Sequence, residues 1–166
     1  MEQVGAKEIA REANVGSHSL PHAHARALRI LLVEDHADTA AALVYLLRRW
    51  GHSVTHAGDV TSALAAAGGA GASAGEQAFD LVISDIGLPD GSGLEVMRRL
   101  AREDKNGHGR KRESQLHGIA ISGRAMDEDL EKSRSAGFAE HLIKPISIEH
   151  LRAAIGRATA VMAKAG

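Results

Sequence analysis

No cysteine occurs in this chain, which excludes a disulfide framework and a zinc–thiolate site. Aromatic residues are nearly missing: two Phe, one Tyr and one Trp make up 2% of 166 residues. A core must therefore be built from Leu, Ile, Val and Ala. Charge of one sign is missing too, since 20 basic against 21 acidic side chains leave a net charge of −1. That balance removes any global electrostatic case for nucleic acid or an anionic membrane. No uninterrupted apolar stretch approaches the roughly 18 residues that span a bilayer. Residues 1–20 lack the hydrophobic region of a signal peptide, so a cytoplasmic protein is expected. Nor is a nucleotide cradle present: Gly91 and Gly93 fit neither G-x-x-x-x-G-K-[ST] nor GxGxxG. What remains is ordinary globular composition, 44% hydrophobic and 25% charged, long enough for one domain with spare length.

Residues 1–27 are polar and Ala-rich without sustained periodicity, and read as a flexible arm or linker with a short helix around Ala6–Ala13. Order is expected from Leu28, where "LRILLVED" is a continuous apolar run ending in acid, as in a strand buried on both faces. Asp38 is the expected cap of a helix carrying Leu43, Leu46, Leu47 and Trp50, stopped by Gly51. "HSVTHAG" reads as a second strand and Asp59 as the cap of "VTSALAAAG". "FDLVISD" is a third strand, and "GLEVMRRLARED" a helix burying Leu94, Met97 and Leu100 or Ala101. "GIAISG" is a fourth strand, followed by a short polar helix capped by Asp127. "AEHLIKPI" is a fifth, and Ser147 caps a last helix whose apolar face is Leu151, Ala154, Ile155 and Ala158. Residues 68–77 and 105–117 read as loops. Strands alternating with helices imply a doubly wound α/β sandwich around a parallel sheet.

Ligands of such folds sit outside the carboxyl ends of the strands, at the topological switch point. Glu34 and Asp35 close the first strand, Asp85 the third, Ser122 the fourth and Lys144 the fifth. With strand order 2-1-3-4-5, three carboxylates converge there. Like charges so placed raise one another's pKa unless a cation intervenes. A hard divalent ion such as Mg²⁺, bound by carboxylates and phosphate oxygens, resolves the conflict. Lys144 can neutralise an anion at the same place, and the Ser122 hydroxyl can donate to it. This is equipment for placing a phosphoryl group on an aspartate.

"ILLVEDH", "DLVISDIGLPDGSGLEVM", "IAISG" and "GFAEHLIKPI" resemble the successive motifs of response-regulator receiver domains, over about residues 28–163. The resemblance implies a flavodoxin-like (βα)5 fold followed by a tail at 164–166. It implies that Asp85 is the phosphoacceptor, and that Glu34, Asp35 and Asp85 hold Mg²⁺ with the Gly87 backbone carbonyl. Ser122 would be the switch hydroxyl and Lys144 the partner of the phosphoryl group, with a cis Lys144–Pro145 bond. The donor would be a histidine kinase or a histidine phosphotransfer protein. A downstream protein would read the surface of the fourth helix, fifth strand and fifth helix. Two positions depart from the commonest pattern. His141 stands where Tyr or Phe is usual, making it a switch candidate, and Gly123 stands where Ala is commoner.

Blander readings compete at several points. His18, His22 and His24 suit an unstructured arm better than a metal, and "RKR" at 110–112 suits a solvated loop better than a phosphate site. An aspartyl phosphatase or phosphotransferase would need a second acid two residues after its nucleophile, where this chain has Gly87. A phosphorylation-independent pseudo-receiver is a third class, and retention of all five site residues argues against it. The pattern fits equally a stand-alone regulator and the receiver segment of a hybrid histidine kinase. In either setting the domain would assist its own modification without turning over free substrates.

Overall fold

The computed structural model describes residues 26–68, 79–105, 116–123 and 127–165. The expected helix at 6–13, the three N-terminal histidines, the basic 110–112 triplet and most of both expected loops lie outside the described residues. Among the described residues the order is β1 (Arg29–Val33), α1 (Ala37–Arg49), β2 (Ser53–Ala57), α2 (Val60–Gly68), β3 (Leu81–Asp85), α3 (Gly93–Lys105), β4 (His117–Ser122), α4 (Asp127–Ala136), β5 (Glu140–Ile143) and α5 (Ile148–Ala165). The five strands form one parallel sheet in the order β2-β1-β3-β4-β5, as expected. Between β3 and α3, Gly87–Leu88 and Gly91–Ser92 make a small antiparallel bridge.

Alternation along the strands divides the core into two layers. Ile30, Leu32, Ile83 and Ile121 face α1 and α5, where Leu43, Leu47, Leu151 and Ile155 close the layer. Leu31, Val33, Val82 and Ala120 face the other way, against Val60 and Ala63 of α2 and Val96, Met97 and Leu100 of α3. Both faces of the inner strands β1, β3 and β4 are therefore dry, which is why these strands read as apolar runs, while the edge strands β2 and β5 are partly exposed. Small residues set the spacing where bulk is short. A Cβ at Gly118 of β4 would lie 2.7 Å from Phe138 Cδ1 and 2.8 Å from Met97 Sδ, so those two large side chains pack onto bare backbone.

Capping agrees with expectation at some helices and departs at others. Asp59 Oδ1 accepts the Ser62 N–H at 2.6 Å, and Ser147 Oγ accepts that of His150 at 3.4 Å. At α1 the residue before the helix is His36, in extended conformation and making no side-chain cap bond. Asp38 lies in the first turn, where its charge complements the helix N-terminus without capping it. The helix at 127 begins with Asp127 itself. Trp50 is the C-cap of α1, and Gly51 follows with φ +91°, a left-handed conformation that glycine adopts without penalty. The Arg152 guanidinium of α5 lies 5.9 Å from the centroid of the Trp50 ring.

Candidate functional site

The strand register brings the strand-end residues into one row. Val33 pairs with Ser84, Asp85 with Ile121, and Ser122 with Ile143, so Glu34, Asp85, Ser122 and Lys144 are neighbours at the carboxyl edge of the sheet. The Lys144 N–H donates to the Ser122 carbonyl at 2.8 Å, and Ile86 N–H to that of Ile121 at 2.9 Å, which extends the row past the sheet. The Lys144–Pro145 bond is cis, as the resemblance implied.

Lys144 is the centre of the site. Its Nζ donates to Asp85 Oδ2 at 2.5 Å and to Glu34 Oε2 and Oε1 at 3.1 and 3.4 Å. The Glu34 side chain is wholly buried and that of Asp85 nearly so, while Lys144 keeps 28% exposure. Two desolvated carboxylates are costly without a partner, and one ammonium serves both. Burial works against that ammonium. The hydrogen bonds and charges of Asp85 and Glu34 outweigh it and raise the Lys144 pKa above its ordinary value. Asp85 Oδ1 accepts the Gly87 N–H at 3.0 Å, so the turn after β3 bonds back to the carboxylate.

Asp35 lies at the open side of the pocket. Its Oδ1 is 3.0 Å from His36 Nδ1, which is also 3.4 Å from Glu34 Oε1. Burial opposes ionisation of Asp35, but the bond and charge of His36 hold its carboxyl below the usual range. In return the Asp35 carboxylate raises the pKa of His36. Glu34, Asp35 and His36 each offer a ligand atom within 4.8 Å of the others. The register sets Asp85 beside this group from the next strand. Oxygen donors of this kind suit a hard divalent cation.

Ser122 and His141 meet directly, with Ser122 Oγ 2.7 Å from His141 Nε2. On its other side His141 Nδ1 is 3.1 Å from Ser133 Oγ of α4. The five sequence candidates thus lie together at the carboxyl edge of the sheet, and His141 joins them through Ser122.

Four residues of the surroundings were not anticipated. His36 sits against both β1 carboxylates. Ser133 completes the contacts of His141. Asp90 reaches across to α2, where it accepts the N–H groups of Val60 at 2.7 Å and Thr61 at 3.0 Å. Gly93 packs against the end of β3: a Cβ there would be well inside van der Waals contact with the Asp85 carbonyl oxygen and Ser84 Oγ. The "LPDGSG" stretch held the only local signal for the last two. Beside Lys144 an apolar groove of about 610 Å³ runs between α1 and the start of α5, lined by Leu43, Tyr45, Leu46, Pro145 and Ile148.

A doubly wound sheet with carboxylates and one ammonium at its switch point defines an α/β protein whose site suits an anion and a cation side by side. The response regulator receiver domain model matches residues 30–156, and the chain belongs to that family. It is 37% identical over 134 residues to the virulence sensor protein BvgS of Bordetella pertussis, covering 80% of this chain and 10% of that protein. It is 32% identical to the probable transcriptional regulatory protein TcrX of Mycobacterium tuberculosis, over 74% of this chain and 45% of that one. The chain therefore spans a tenth to under half of these curated relatives. A CheY-like receiver domain from Methanospirillum hungatei superimposes with a TM-score of 0.69 at 24% identity, over 84% of this chain and 99% of that one. The fold is flavodoxin-like, and the chain is a receiver domain of the two-component type.

Proposed function

We propose that Asp85 accepts a phosphoryl group from a phosphohistidine donor and that residues 28–163 form the receiver unit. The observation carrying this reading is the Lys144 clamp, an ammonium held between the buried carboxylates of Glu34 and Asp85. In the transfer, an Asp85 carboxylate oxygen attacks phosphorus, the P–O bond forms and the P–N bond to the donor imidazole breaks. The imidazole leaves as the neutral base after taking up a proton. Lys144 then turns its charge from the free carboxylate to the phosphoryl oxygens, and Ser122 donates its hydroxyl to one of them.

Glu34, Asp35 and Asp85, with the Gly87 carbonyl, would hold Mg²⁺, for which their oxygen-rich donor set is suited. When bound, the ion supplies positive charge that offsets the phosphoryl oxygens. Because the donor arrives already charged with its phosphoryl group, the domain promotes its own modification and is not a turnover enzyme for free substrates. A histidine kinase or histidine phosphotransfer protein is the donor we infer, and the apolar groove beside Lys144 offers it a contact surface next to Asp85. We infer that a downstream protein reads the α4-β5-α5 side, where Ile143 at the end of β5 is exposed. No helix among the described residues is long and apolar enough to cross a membrane.

Intact mass after incubation with acetyl phosphate and Mg²⁺ tests the assignment. Wild type should gain one phosphoryl group and Asp85→Asn none. A variant that still gained the group at an acyl-phosphate-labile position would overturn it.

A further inference from the structure

The three side chains Ser122, His141 and Ser133 form a line from the site to the interior face of α4, and proton counting gives that line a direction. Ser133 is almost wholly buried, and its Oγ lies 2.9 Å from the Leu130 carbonyl oxygen one turn earlier in α4. A carbonyl can only accept, so the single hydroxyl proton of Ser133 goes to Leu130. Ser133 Oγ therefore presents a lone pair to His141 Nδ1, 3.1 Å away, and Nδ1 must carry the ring proton. In a neutral imidazole Nε2 is then bare. Burial supports the neutral ring by lowering the His141 pKa, against the opposing charge of Asp129 on α4. Glu140, the neighbour on β5, is engaged by Arg157 of α5. With Nε2 bare, the 2.7 Å contact to Ser122 is a bond in which the Ser122 hydroxyl donates.

We propose that Ser133 is a positioning residue for the switch: by holding His141 in its Nδ1–H form, it keeps the Ser122 proton directed at the imidazole. This rests on the reading of Ser122 as the hydroxyl that donates to a phosphoryl group on Asp85. Ser122 must surrender a hydrogen bond to His141 before it can serve the phosphoryl oxygen, so the resting state is favoured. When it does so, His141 loses its partner at Nε2 while still tied to α4 through Ser133. The bond broken at the site is thereby registered on α4 and β5.

Removing the Ser133 acceptor should reverse the direction of the line. In Ser133→Ala nothing holds the proton on Nδ1, and the ring can shift to Nε2–H. It then donates to Ser122 Oγ, and the serine proton is released from the imidazole and can serve a phosphoryl oxygen. One net hydrogen bond corresponds to roughly 2- to 12-fold in an equilibrium constant, so Ser133→Ala should bind the phosphoryl mimic beryllofluoride about fivefold more tightly with Mg²⁺ present.

The test uses the whole chain labelled with ¹⁵N. Long-range ¹H–¹⁵N spectra at about pH 8, above the ordinary histidine pKa, report which ring nitrogen of His141 carries the proton. Wild type should show Nδ1–H, the form that is less common for a free imidazole. Ser133→Ala should move toward Nε2–H and gain beryllofluoride affinity, and Ser133→Thr, which keeps the hydroxyl, should restore both properties. In a Ser122→Ala background the gain should disappear, which a merely structural effect of Ser133 would not produce. An Nε2–H ring in wild type overturns the proposal, even if Ser133→Ala fails to fold. An unmoved or weakened affinity in a folded Ser133→Ala overturns it as well. Binding by wild type and none by Asp85→Asn supports the underlying assignment. If wild type bound no beryllofluoride, that assignment would fall and carry this proposal with it, whereas the wrong tautomer sinks the proposal alone.

Discussion

Replacing Lys144 by Met keeps the length and apolar stem of the side chain while removing its charge. Glu34 and Asp85 then face each other's surroundings without a counter-ion. At an effective dielectric of about 20, unit charges separated by 2.5 and 3.1 Å attract by roughly 5–7 kcal/mol each. Most of that attraction is cancelled by the desolvation of the three groups. Breaking a buried pair by removing one partner costs about 3–5 kcal/mol. Lys144 is 28% exposed, so water already screens part of the interaction and about 2–3 kcal/mol is the reasonable expectation. For a domain of this size that corresponds to a fall in Tm of about 6–9 °C in metal-free buffer. Mg²⁺ changes the comparison, because it binds the assembled acidic pocket and not the unfolded chain. Without Lys144 competing for the same carboxylates the ion should bind more tightly, and the gap between variant and wild type should narrow at millimolar-scale Mg²⁺. Differential scanning calorimetry with EDTA and with Mg²⁺ is the assay. An unchanged Tm in EDTA, or a gap that Mg²⁺ leaves at full size, would refute the argument that one ammonium serves both carboxylates.

Gly93→Ala should lower stability by about 1–3 kcal/mol and impair phosphoryl uptake together, because the added methyl must displace the Asp85 backbone; urea unfolding and intact mass would show whether the two losses travel as a pair. Asp90→Ala removes the acceptor of the Val60 and Thr61 N–H groups and should loosen the start of α2. Hydrogen exchange should speed up at those two amides first, and unchanged protection there would contradict the cross-loop cap. His52, His117 and His141 are each held below the ordinary histidine value by burial. A base with a depressed folded pKa protonates first in the unfolded chain, so this stability is intact above about pH 6.5 and declines as pH falls through it. His52 Nδ1 accepts the Leu28 N–H at 3.3 Å. His52→Asn, an acceptor that cannot titrate, should therefore flatten the dependence of Tm on pH between roughly 7.5 and 5, and an equally steep profile would exclude His52 as a contributor.

The sheet and its five strand-end residues were legible because each signal is local. The stretches Ile30–Val33 and Leu81–Ile83 are unbroken apolar runs, as strands covered on both faces must be, and topology alone carries the polar residues that follow them to one edge. The surroundings of those residues were not legible in the same way. Asp90 meets Val60 thirty positions away, and Ser133 meets His141 across the junction of α4 and β5. Contacts of this sort depend on how helices settle on the sheet, and no periodicity records that. Asp38 shows the opposite error. Its residue type is right for a cap, yet the chain turns into α1 two residues too early for it, with His36 in the extended conformation before the helix.

The scarcity of aromatic rings has an optical side. The sole indole, Trp50, ends a helix of 13 residues whose first turn follows the Glu34–Asp35 carboxylates, so it stands about 20 Å along α1 from them. Its emission reports on the packing of α1 against α5, with Arg152 beside the ring, and global unfolding can be followed from one chromophore. An ion or phosphoryl group arriving at Asp85 is too distant to quench that indole by contact. Any change in emission on loading the site would therefore reflect movement transmitted through the packing of α1 and α5.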